Sequence, residues 1–182
     1  MDKGEGAMKT ACLIALLGAV PPAALAADLP AGDCKRPAAR TDLSACDWSR
    51  AKLAGKDLRG ARFAGAKLEN ADFRKAHLDE ADFRGSNVKW GNFSKASLKA
   101  ADFRNADLFH AIFDDADVSD GRFGGANLFG ANLINTRAVR ADFAGAQLKD
   151  ILMEGIDLSG GSMRGCYAFR GVLSGAKLIG TD

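Results

Sequence analysis

After residue 27 this chain has no long uncharged apolar run, no surplus of either charge, two histidines and no helical period. Each shortage excludes something. Without a second long apolar run, no segment beyond the N-terminus can cross a bilayer as a helix. Lys and Arg number 25 against 23 Asp and Glu, a net charge of +2. That balance argues against a nucleic-acid binder, and equally against an acidic imitation of nucleic acid. His77 and His110 have no cysteine or further histidine in register, so no zinc site is expected. Serines occur without a paired histidine, and the glycines sit at corners rather than in a phosphate-cradling loop. No catalytic residues, cofactor or metal site are expected.

What is present is a period of five. From Thr41 to Gly180 every fifth residue, Leu43 through Leu178, is Leu, Phe, Val, Met, Trp or Ala, giving 28 pentads without an insertion. Two residues before each of these centres stands Ala in 16 pentads and Gly, Ser, Thr or Cys in nine more. On a helix five residues rotate a position by about 140°, so the centres would spiral onto every face and put Phe in water. In a short extended piece followed by a bend, the centre and the residue two before it point the same way. The pentad ends in Gly in 12 of 28 cases, as at Gly55 and Gly65, which suits a tight corner. Asp or Asn precedes the centre in 14 pentads, where its side chain can cap a nearby backbone N–H.

The centres alternate: Phe63, Leu68, Phe73, Leu78, Phe83, Val88, Phe93, Leu98, Phe103. Like residues stack into columns only if each coil holds an even number of pentads. Two pentads enclose almost no interior, so four per coil is the economical choice. Lys56, Ile151 and Ile156 depart from the small residue, and Ala138 and Ala168 from the large one. Met153 and Met163 suit an interior altered in this way.

Runs such as Ala71-Asp72-Phe73-Arg74-Lys75-Ala76-His77-Leu78 resemble the A(D/N)LxxAxF pattern of pentapeptide repeat proteins. The resemblance spans residues 41–180. It implies an all-β, right-handed quadrilateral (four-sided) β-helix solenoid of about seven coils. It also implies one function to weigh, since some members bind DNA gyrase in the cytoplasm by imitating duplex DNA.

Residues 1–26 have the features of a signal peptide. Lys9 gives the positive start, Ala11 to Val20 the apolar stretch, and Ala24-Leu25-Ala26 the small-x-small cleavage site. Either Met1 or Met8 can be the start. Residues 27–40 form a lead-in or cap, and 41–180 the repeat. The mature chain is expected in the periplasm or secreted, with no stable membrane insertion after cleavage. Cys12 lies in the signal, leaving Cys34, Cys46 and Cys166. Cys46 and Cys166 belong to opposite ends of the solenoid and cannot bridge. In an oxidising compartment a Cys34–Cys46 disulfide is expected, the alternative being two free thiols.

The outward positions are mostly charged. Asp82, Arg84, Asp102 and Arg104 recur one coil apart and suggest exposed ion-pair ladders. Asp114, Asp115, Asp117 and Asp120 form an acidic group whose plain role is solvation. One side departs from this. Phe109, Phe129 and Phe169 share an outward column, Trp90 and His110 share its neighbour, and Tyr167 flanks Phe169. These six residues are the candidate interaction patch, with stacking that reinforces the solenoid as the competing explanation. The function expected from the sequence is a non-enzymatic, exported, rigid protein-interaction scaffold in the cell envelope. Its partner is a protein of unknown identity, or a second copy met through the C-terminal coil end or the aromatic face. No nucleic acid is expected. The gyrase-protecting role is the alternative.

Overall fold

The computed structural model describes residues 29–182. The signal-peptide reading of residues 1–26 lies outside the described residues. Within them there is no helix and no continuous strand; each pentad contributes one bridged residue followed by a turn. Within the repeat the bridges are parallel and join residues twenty apart, as in Asp72↔Asn92, Asn92↔Ile112 and Ile112↔Asn132. Four pentads therefore complete each coil. We number the sides by their first centres: side 1 from Leu43, side 2 from Trp48, side 3 from Leu53 and side 4 from Leu58. Coil 1 begins at residue 43, and coils 3 to 7 cover 83–102, 103–122, 123–142, 143–162 and 163–182.

One pentad shows how the backbone is satisfied. The Ala71 amide donates to the Leu68 carbonyl across the turn at 3.1 Å. Asp72 N–H reaches Ala51 one coil back at 2.9 Å, while Phe73 and Lys75 reach Asn92 and Ser94 one coil on at 2.8 and 3.0 Å. The remaining donor, Arg74 N–H, is capped by Asp72 Oδ1 at 3.1 Å. All five amides are paired, so a surface of turns carries no open donors at this pentad. The Asp or Asn before the centre is thus part of the backbone accounting; the same cap recurs at Asp42, Asn92 and Asp142.

The last residue of the pentad takes φ between 53° and 70° from Arg50 to Gly180. That is the third residue of a turn requiring positive φ, as in type II. Glycine fills twelve of these positions, but Lys75, Trp90, His110 and Arg140 also adopt it. The coil geometry imposes the torsion whatever the residue. Arg40 has the same φ and donates to Arg59, the bond made by the corners from Arg50 to Gly160, so the register begins one pentad before Thr41.

The bore is filled as the alternation requires. Phe63, Phe83, Phe103, Phe123 and Phe143 stack up side 1 with ring centroids 4.6–5.0 Å apart. Phe73, Phe93 and Phe113 stack up the opposite side 3 at 4.9 and 4.8 Å. The two columns meet edge to face at about 6 Å, as in Phe63–Phe73 and Phe83–Phe93. Ile151 and Ile156 are fully buried. A Cβ on Gly171, one coil beyond Ile151, would come within 3.2 Å of Ile151 Cγ2, so the glycine leaves room for the larger side chain. Lys56 is not inward at all but exposed on coil 1.

The lead-in lies against coil 1. Ala31 bridges Asp42, and Gly32 N–H and Pro30 C=O bond to Asp42 at 2.8 Å. Cys34 and Cys46 form a disulfide with Cα atoms 5.7 Å apart. Leu43 and Trp48 are buried beneath, and Trp48 Nε1 donates to the Leu43 carbonyl at 3.1 Å. Cys166 is free and half-buried, and burial pushes its thiol pKa up.

Candidate functional site

Side 2 presents three outward positions per coil: one before the centre, and two after it on the turn. Phe109 and Phe129 follow the centres of coils 4 and 5, and their rings stack at 5.3 Å with planes 10° apart. Both are half-buried, because each covers a face of the other. Trp90, on the corner of coil 3, meets Phe109 edge-on at 5.5 Å. His110 meets Phe109 at 4.3 Å and Phe129 at 6.0 Å. Its imidazole lies over Gly130, where an added Cβ would sit 2.5 Å from His110 Cε1. Lys149 places Nζ 5.3 Å from the centroid of Phe129.

Tyr167 and Phe169 form a second pair, with centroids 6.3 Å apart. Lys149 stands between Phe129 and Phe169 in their shared column. The six candidate residues are therefore two groups on one side, separated by a cation. Trp90, Tyr167 and Phe169 are exposed, at 48, 51 and 54%, and so is His110.

Lys149 and its neighbours Asp150 and Arg170 were not singled out by sequence. Arg170 Nε bonds Asp150 Oδ1 at 2.6 Å. The signal was available, since Lys149 follows Phe129 and Phe109 by twenty and forty positions, and Asp150 and Arg170 follow His110 by forty and sixty.

The charged columns elsewhere pair between coils, as in Arg140–Asp120 at 2.6 Å, and within pentads. Arg84 binds Asp82, and Arg104 binds Asp102, within the same pentad at 2.7 and 2.6 Å, whereas Arg84 and Asp102 of adjacent coils are 3.9 Å apart. Burial pushes the Asp102 carboxyl up, but its bonds from Arg104 outweigh this and hold it below the usual range. In the acidic group each of three carboxylates has another task. Asp114 accepts from Ile134 N–H, Asp117 from Ser119, and Asp120 takes a two-pronged bond from Arg140. Among the described residues no group of His, Cys, Asp and Glu is placed to hold a metal ion.

The family profile for a pentapeptide repeat region matches residues 56–133, and that for pentapeptide repeats matches 122–160. A crystal structure of a pentapeptide repeat protein from the thylakoid lumen of Arabidopsis thaliana is 35% identical. It aligns over 54% of this chain and 69% of its own, with a TM-score of 0.54. The chain belongs to the pentapeptide repeat family. This pentapeptide repeat protein also resembles HetL of Nostoc sp. strain PCC 7120, involved in heterocyst differentiation regulation, at 20% identity over 75% of this chain and 88% of that one (TM-score 0.40). QnrB1, a plasmid-mediated fluoroquinolone resistance protein, is 23% identical over 73% of this chain and 77% of that one (TM-score 0.42). No curated protein sequence matches the chain.

Proposed function

We propose that this pentapeptide repeat protein is a non-enzymatic, exported scaffold of the cell envelope, a right-handed four-sided solenoid that offers side 2 to a protein partner. One observation carries the reading: Trp90, Tyr167 and Phe169 stand half in solvent on one side of the solenoid. Large aromatic side chains on an inflexible frame lose little freedom on contact, which is why they anchor interfaces.

Export is supported by the N-terminal pattern and by the Cys34–Cys46 disulfide, which persists in oxidising compartments. The relative from the thylakoid lumen of Arabidopsis thaliana, 35% identical to this chain, also supports the reading.

Cell fractionation tests the location. A processed chain beginning near Ala27 outside the cytoplasm supports the proposal, and an unprocessed cytoplasmic chain refutes it. Side 2 is tested by capture of partners on the immobilised mature protein. A chain carrying Phe109→Ser and Phe129→Ser should retain its fold and lose captured proteins; equal capture by both would remove the role of side 2.

A further inference from the structure

We infer that the partner of side 2 is a second copy of this chain, lying antiparallel, with a two-fold axis at Phe129. The inference rests on the scaffold reading above and specifies its occupant. Two identical solenoids share one axial repeat, so side chains in register at one coil remain in register at the next. A two-fold axis perpendicular to the solenoids sets coil 4 against coil 6 of the second copy, and coil 3 against coil 7. Each turn position then faces the same turn position of its opposite coil.

The resulting pairs are complementary. Phe109 faces Lys149 of the second copy, repeating between chains the contact Lys149 already makes with Phe129. Trp90 faces Arg170, a guanidinium over an indole. Lys89 faces Phe169. His110 can donate a ring N–H to Asp150, whose other partner is Arg170 of its own chain at 2.6 Å. Asp107 faces the amide of Gln147, and Phe129 meets its own copy on the axis. Because of the symmetry every pair occurs twice.

Other arrangements lose this match. Moving the axis midway between coils 4 and 5 sets Lys89 against Lys149. Pairing the solenoids parallel sets Lys89 against Lys89 and Lys149 against Lys149. Charge pattern therefore disfavours both of these alternatives.

Disulfide trapping in the full mature chain tests this, with Cys166→Ser to remove the free thiol. Phe129→Cys should give a covalent dimer on mild oxidation, because the axis brings the two new thiols together. Phe109→Cys alone should give none, its copies lying about two coil spacings, roughly 10 Å, apart. Mixed with Lys149→Cys it should give a heterodimer. Sedimentation should show a reversible dimer in the parent chain, weakened at least tenfold by Arg170→Glu and by Trp90→Gly, with secondary structure by circular dichroism unchanged.

A monomer at all concentrations, with no trapping at position 129, overturns the inference. So does trapping of Phe109→Cys with itself, which would mean parallel pairing or an axis at Phe109. If the chain is monomeric yet capture still depends on Phe109 and Phe129, the occupant is a different protein and the scaffold reading stands. If capture does not depend on them either, both readings fall.

Discussion

Phe83 and Phe103 stack with centroids 4.7 Å apart and planes 6° from parallel, and both meet Phe93 edge-on, at 5.7 and 5.6 Å. Two opposite columns thus interlock from Phe63 to Phe123, and Phe83, Phe93 and Phe103 each have rings above, below and across. Phe103→Ala removes a ring with no exposed surface, and stacked coils leave the cavity little means of collapse. The expected loss is about 3–5 kcal/mol, and Phe103→Leu should cost less. Thermal and denaturant unfolding of the two variants measure it.

The corner torsion can be isolated from packing at Gly65. A Cβ there would meet nothing within 4 Å, yet φ is 70°. Gly65→Ala should therefore cost about 1 kcal/mol from torsion alone. Gly121 provides the converse. Its φ is ordinary, but a Cβ would lie 2.7 Å from the Val118 carbonyl oxygen, so Gly121→Ala should cost about 1–3 kcal/mol through crowding. An equal and negligible effect in both would contradict the geometry.

Acid should weaken the solenoid in a defined window. Side-chain hydrogen bonding from Arg59 lowers the Asp57 carboxyl to about 2, and the Arg74 side chain likewise lowers Asp72. A carboxyl depressed in the folded state contributes stability above its unfolded value, near 3.9, that is lost as pH falls through the folded value. Asp33, Asp42, Asp47, Asp120 and Asp157 shift in the same direction. Asp114 moves oppositely, raised by burial, and offsets part of the effect. Melting temperature should hold from pH 7 to about 5 and fall between about 4 and 2.

Reduction should loosen the N-terminal cap. The disulfide spans a sequence separation of 12, for which loop-closure entropy gives about 3 kcal/mol. Cys34→Ser should lower stability by up to that amount and increase the solvent exposure of Trp48, read by fluorescence in a Trp90→Phe background. An unchanged Trp48 signal would mean the lead-in holds its place without the bond.

The inward half of this protein was legible in its residues. A period of five with a large and a small apolar position identifies what faces the bore, and the alternation of Phe with Leu requires an even number of sides. The place of Cys166 far along the axis leaves Cys34 as the partner within reach of Cys46, and an oxidising compartment favours their bond over two free thiols. These features follow from translation along one axis, and repeating residues report translation directly.

The outward half depended on neighbours a full coil away. Asp82 and Asp102 bind Arg84 and Arg104 in their own pentads because those guanidinium groups reach them at shorter range than the next coil does. Phe129 and Phe169 share a column but are parted by Lys149. Non-glycine corners such as Trp90 take positive φ because hydrogen bonds between coils impose it. Local sequence alone determined the period, the core and the backbone caps. Tertiary structure decided which surface groups meet, since outward side chains can turn several ways and only residues twenty positions distant select among them.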